Sequence, residues 1–158
     1  MPRPANSLVI AVDGTAWPVQ TEPQVPDLED IYPLIGAPRA EVLSIRPNLD
    51  HSAGQRVSAD LDGLDLDFWF GRMSAYEQPQ NFVATVLSQA LGGTSSILHG
   101  PIVLQAGSRQ TGDSLPLSTQ ALTTLQEEVR TITSIPDVIN GIATSIANFH
   151  HNRTRDDD

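Results

Sequence analysis

The chain has no cysteine and no lysine. The first absence excludes disulfides, thiolate zinc ligands and thiol nucleophiles together, and is compatible with a reducing compartment. The second excludes a phosphate cradle of the G-x-x-x-x-G-K-[ST] kind. Its 9 fixed positive charges are therefore all arginines, set against 19 carboxylates for a formal charge of −10. Such acidity opposes the phosphate contacts that dominate nucleic-acid affinity, so direct binding to DNA or RNA is not expected. No apolar run approaches the roughly 20 residues that span a bilayer. The opening residues MPRPANS carry no hydrophobic signal segment, and a soluble protein of the cytoplasm, without a membrane partner, is the expectation. No repeat or low-complexity block appears.

What is present suffices for one core: 158 residues at 39% apolar. The stretch PQNFVATVLSQALGGTSSILHGPIVLQAG organises the rest. Phe82, Val83, Val86, Leu87, Ala90 and Leu91 recur at helical spacing, with Pro79 in the first turn and Gly92-Gly93 as the stop. Ile97 to Leu104, broken by His99, Gly100 and Pro101, reads as a buried strand entered through a tight bend. Upstream, Leu8 to Val12 is a strand buried on both faces, Asp13-Gly14 a hairpin turn, and Thr15 to Val19 a returning edge strand marked by Pro18. Asp27 caps a short helix carrying Leu28, Ile31, Tyr32 and Ile35, which Gly36 ends. Ala40 to Ile45 reads as a third strand and Arg46 to Gln55 as a mobile loop. Between Val57 and Phe70, Leu64, Leu66, Phe68 and Phe70 alternate with Asp65, Asp67 and Trp69, which predicts a strand with one wet face, and Asp62-Gly63 predicts a second hairpin. Ser108 to Pro116 reads as a polar loop. Ser118 caps a helix with Leu117, Ala121, Leu122, Leu125, Val129 and Ile132 on one stripe. Pro136 interrupts, and Val138, Ile139, Ile142, Ile146 and Phe149 form a second stripe. The expected fold is α+β: an antiparallel or mixed sheet of about five or six strands, helices on one face and a helical C-terminal extension. Residues 1–116 form the core domain, 117–149 a helical segment packing on that core or on a second subunit, and 150–158 a charged tail that frays.

Candidate sites follow from residue type. Asp60, Asp62, Asp65 and Asp67 on two paired strands make an acidic surface that is a solvated face, a partner-binding patch or a set of oxygen ligands for calcium. The match to a twelve-residue calcium loop is poor, since Gly63 follows the second acidic position and no glutamate closes the loop. No metal and no cofactor is expected. Trp69 and Tyr76 are candidate anchors for a partner or core fillers. Asn81 is a helix cap or a ligand hydrogen-bonder. His99, beside Gly100 and after the Gly92-Gly93 turn, is the best placed of four histidines, the others being His51, His150 and His151; it either bonds nearby backbone or meets a ligand. Serine, histidine and aspartate are plentiful, yet no G-x-S-x-G elbow marks a nucleophile, and no enzymatic role or catalytic residue is expected. The run Gly92 to Ser96 offers backbone N–H groups to an anion, but it follows a helix rather than opening one. Arg39, Arg72 and Arg109 would serve a phosphate ligand only by converging on one pocket.

The order LVIAVDGT, DLEDIYPLIG, AEVLSI, QNFVATVL, ILHGPIVLQAG and LSTQALTTLQEEV resembles a small domain-of-unknown-function family of phages and conjugative plasmids. The matching positions are Asp13 and Gly14, Gly36, Asn81 with Ala84 and Thr85, and Gly100 with Ile102 and Val103, over roughly residues 7–130; the segment from Arg46 to Val57 and the helix from Pro136 onward have no counterpart. The resemblance implies a mobile-element accessory protein and supplies no catalytic residue. Three functions fit: a non-enzymatic phage or plasmid protein that binds and modulates a host protein in the host cytoplasm, as in anti-defence; an acidic DNA mimic that blocks a nucleic-acid enzyme; and a protein that sequesters a nucleotide signal. The C-terminal stripes are expected to support a homodimer.

Overall fold

A computed structural model gives the fold. It describes residues 5–21, 31–37, 39–72, 78–93 and 96–156, the last six as helical backbone. The elements are β1 (Ser7–Ile10), β2 (Ala16–Val19), α1 (Tyr32–Ile35), β3 (Ala40–Ile45), α2 (Ser52–Leu61), β4 (Asp65–Gly71), α3 (Phe82–Ala90), β5 (Ile102–Gly107), β6 (Ser114–Leu115), α4 (Thr119–Thr133) and α5 (Pro136–Asp156). The six strands form one antiparallel sheet in the order β2-β1-β5-β4-β3, with β6 pairing the end of β5. This is the expected α+β architecture.

Asp13-Gly14 makes the first hairpin, as read from the sequence. Asp13 accepts from the amide and hydroxyl of Thr15, and those two bonds hold its carboxyl below the ordinary value. Pro18 lies on the sheet edge, where its missing donor costs nothing. Alternation on the central strands then sorts the side chains. Leu8, Ile10, Leu66, Phe68, Ile102 and Leu104 face α2, α3, α4 and the first turns of α5 in the main core. Val9, Val103 and Trp69 face the other way, where Ile35 of α1 and Ile31 at its N-cap cover them. The short helix α1 thus packs on the face opposite the other four. Gly36 ends it in the left-handed region at φ 67°. Asp27, the expected cap, lies outside the described residues.

The largest departure is between Arg46 and Leu61. Instead of a mobile loop and the first strand of an acidic hairpin, Ser52–Leu61 is the helix α2. Ala53, Val57 and Leu61, at i, i+4, i+8, are its buried stripe. Asp62 and Gly63 form its left-handed exit, at φ 51° and 84°, rather than a hairpin. The dipeptide supplies positive φ in either setting, so its local preference does not separate the two. α2 packs on α4 through two contacts four residues apart on each helix: Arg56 to Glu128, with Nη2 to Oε1 2.5 Å, and the Thr124 hydroxyl to Asp60.

Smaller differences concern ends. α3 starts at Phe82 with Asn81 as cap, so Pro79 precedes the helix. Regular strand β5 starts at Ile102, while His99 makes a single bridge to Gln80. The polar loop after Ser108 contains β6. The tail expected to fray continues α5 to Asp156. Val138 and Ile142 of that helix join the core, whereas Ile139 is 52% exposed.

Candidate functional site

The isolated bridge between Gln80 and His99 is held from both sides. Asn81 N–H donates to Leu98 O at 2.8 Å and Gly100 N–H to Pro79 O at 2.9 Å. Asn81 itself is fully buried: Oδ1 accepts from Ala84 N, and Nδ2 donates to Ile10 O and Gly100 O at 2.9 Å each. Of its two sequence readings the cap is the one realised, and every polar atom of the side chain is engaged. Thr85 adds a hydroxyl that accepts from Leu98 N. This network stations His99 at the rim of a cleft of about 260 Å³, between Gln78, Pro79, Gln80 and His99 on one side and Ser145, Asn148 and Phe149 of α5 on the other. His99 Nδ1 lies 3.3 Å from Gln78 O. A carbonyl only accepts, so Nδ1 carries the hydrogen and, in the neutral ring, Nε2 is the acceptor. The cleft therefore combines three side-chain amides, a hydroxyl, an imidazole acceptor and an aromatic wall; among the described residues lining it none carries a fixed charge.

The other candidates are dispersed. Asp60 faces α4 and accepts from Thr124, Asp62 is the exposed exit of α2, and Asp65 pairs with Arg109. Asp67 is 5% exposed on the α1 side of β4 and accepts from Ser44 Oγ at 2.6 Å. The four carboxylates do not share a face, because Asp60 and Asp62 belong to a helix and its exit. Nor is the second face of β4 wet: burial pushes the Asp67 carboxyl above its ordinary value, against the Ser44 hydrogen bond, and the charge of Asp65 adds to the rise. Trp69 lies against the α1 cluster with Nε1 buried and, among the described residues, unpartnered, which makes it a half-buried packing residue rather than a free anchor. Tyr76 is outside the described residues.

The arginines do not converge. Arg39 and Arg72 sit at one end of the β3–β4 pair, Arg72 being 3.7 Å from Glu41, while Arg109 pairs with Asp65 at the other end. The length of β4, roughly 20 Å at 3.3 Å per residue, separates them. His51 stands at the N-cap position of α2 without capping it, and the His150 ring meets Phe149 edge-on at 5.9 Å. Of the Gly92–Ser96 run, Gly92 is left-handed at φ 92°, and residues 94–95 are outside those described. Among the described residues no three histidine, aspartate or glutamate side chains group as a metal site, and no helix is long and apolar enough to cross a membrane.

Sequence reasoning missed a polar cluster on the α1 side of the sheet: Asn6, Ser7, Thr21 and Gln105, the last three at most 3% exposed. A visible signal was Gln105, a lone amide inside an otherwise apolar strand. No protein-family model matches this chain, and neither a curated protein nor a solved structure matches it.

Proposed function

We propose that this chain is a non-enzymatic binding module that takes a short segment of a partner protein into the His99 cleft. The observation that carries the reading is the cleft's size and lining. At about 260 Å³ it lies at the lower edge of the roughly 300–1,000 Å³ of small-molecule sites, and it offers amides, an imidazole acceptor and the Phe149 ring without a fixed charge. Those groups suit the N–H and C=O groups and one or two neutral side chains of a peptide. They do not suit a nucleotide, whose phosphates need the arginines that lie elsewhere. The acidic-mimic reading loses its surface with the hairpin that was to display it. The resemblance to phage and plasmid proteins supports a host protein as the partner class and the host cytoplasm as the place.

The test is recovery of a partner from host cells by the wild-type chain and by Phe149→Ala and His99→Ala, with folding checked by circular dichroism. A protein retained by the wild type and lost by both variants supports the cleft. Equal recovery by all three sinks it.

Self-association through α5 is a second proposal, supported by Ile135 and Ile139, 44% and 52% exposed on one side of the helix start. Light scattering on the wild type and Ile139→Glu tests it: a wild-type dimer that the variant dissociates is the expected result, and a wild-type mass of one chain rejects it. Removing α5 altogether is a poor test, since Val138 and Ile142 belong to the core.

A further inference from the structure

The face of the sheet that carries α1 has two adjacent rows running across the strands. One is apolar: Trp17, Val9, Val103, Trp69 and Val42, paired in that order. The next is polar: Ser7, Gln105, Asp67 and Ser44 on the neighbouring strands β1, β5, β4 and β3. Hydrogen bonds run along it. Ser44 Oγ donates to Asp67 Oδ1 at 2.6 Å, Gln105 Nε2 donates to Thr21 Oγ1 at 2.8 Å and Ser7 Oγ at 3.2 Å, and Thr21 Oγ1 donates to Asn6 Oδ1 at 3.1 Å. The run breaks at one atom. Gln105 is 0% exposed, and among the described residues its Oε1 accepts from nothing. A buried acceptor without a donor is costly, and native folds rarely keep one.

The residue directly opposite Gln105 is Asp67, and side chains so paired have Cβ atoms about 4.5–5.5 Å apart, within mutual reach. The carboxyl lies over Gly107, where a Cβ would overlap Oδ2 and come within 2.7 Å of Oδ1. We propose that Asp67 and Gln105 form a buried proton site: Asp67 keeps its carboxyl proton in the folded protein and donates it to Oε1 of Gln105. The chain from Ser44 through Asp67, Gln105 and Thr21 to Asn6 then runs unbroken, every donor pointing the same way. An ionised Asp67 would set a carboxylate against a carbonyl dipole and leave both acceptors facing each other. Burial, which pushes the Asp67 carboxyl up, works in the same direction. Asp65 is the charge that acts on the Asp67 carboxyl, adding to the rise, and Arg109 is already paired with Asp65; Arg46 follows β3 on the Ser44 side of the register, opposite Asp65, while Ser44 from β3, Gln105 and Gly107 from β5, and Ser7 and Thr21 are uncharged. Because the folded value lies above the unfolded one, the proton's contribution to stability is complete below the unfolded value and is lost as pH rises through the folded one.

The experiment is a 13C titration of the Asp67 carboxyl carbon in the full chain, with Gln105→Met and Asp67→Asn beside it. The wild-type midpoint is expected above the ordinary value of about 3.9, and Gln105→Met, which removes the acceptor, should lower it. Asparagine has the shape and hydrogen-bonding pattern of the neutral acid, so Asp67→Asn should melt above the wild type at pH 7–8 and with it below about pH 4. A wild-type midpoint at or below the ordinary value overturns the proposal, since Gln105 then turns its amide over and Nε2 serves a carboxylate. A midpoint unmoved by Gln105→Met overturns the pairing. If Asp67→Asn does not fold, the wild-type titration decides alone.

Discussion

Gly141 of α5 rests on the ring of Phe82 in α3, so close that a Cβ there would lie 2.8 Å from Cζ. The two helices cross at that point, and one to two turns further on α5 contributes Ser145, Asn148 and Phe149 to the cleft. Gly141→Val should lift α5 from α3, lowering stability by about 1–3 kcal/mol, the usual cost of overpacking. Urea unfolding measures the loss. Partner binding at the cleft should weaken in the same variant, and an unchanged unfolding midpoint would mean that the Phe82 ring yields instead.

Asn81 joins a helix start, a strand end and the entry to β5 through three buried hydrogen bonds. Asn81→Asp keeps the acceptor for Ala84 but loses both donors, and with them the bonds to the carbonyls of Ile10 and Gly100, at about 0.5–1.5 kcal/mol for each. Asn81→Ala loses the cap as well, a further ~1 kcal/mol. Chemical denaturation should therefore rank the wild type above Asp and Asp above Ala. An Asp variant as stable as the wild type would show that water replaces the donors.

Gly54 sits in the first half of α2 beneath the carbonyl of Asn48, and a Cβ would overlap that oxygen and approach the carbonyl carbon to 2.9 Å. Helix propensity alone favours alanine there by about 1 kcal/mol. The backbone contact reverses the sign, because Asn48 is itself held by its N–H bond to Leu91 O at 2.8 Å. Gly54→Ala should lower the melting temperature; a rise would mean that the 46–51 connection gives way freely.

Glu128 is 7% exposed and is satisfied by Arg56, whose Nε and Nη2 both reach Oε1. Arg56→Ala removes the partner and leaves the carboxylate in a covered site, which should cost about 1.5–3 kcal/mol, the range for a hydrogen bond to a charged group. Glu128→Gln in the Arg56→Ala background should recover part of that loss. A double-mutant cycle in urea reads the coupling, and a coupling near zero would place the pair among ordinary surface contacts.

Comparison of the two Asp-Gly dipeptides shows how far local chemistry reaches. Both satisfy a demand for positive φ, Gly14 at 90° and Asp62 and Gly63 at 51° and 84°. The first closes a hairpin because Leu8 and Ile10 precede it on a strand. The second ends a helix because Ala53, Val57 and Leu61 precede it at helical spacing, a stripe outweighed in the sequence reading by the alternation that follows in β4. The cleft was half legible. His99 and its bend stood out by residue type, whereas Ser145, Asn148 and Phe149 lie more than forty residues further along and reach His99 only through the crossing of α5 over α3.

Composition and periodicity by themselves determined the charge, the absence of thiol chemistry, the strand β3 to its bounds, and the stripes of α3 and α4, because each depends on neighbours within a turn or a strand. Tertiary structure alone decided which polar side chains are enclosed and what they meet. The buried Asp67, Gln105 and Thr21 are scattered along the chain, and they line up with the exposed Ser44 because β5 takes its place between β1 and β4. A hydrogen bond needs its partner within about 3.5 Å, and only the tertiary structure brings Ser44 to Asp67 and Thr21 to Gln105 at that distance.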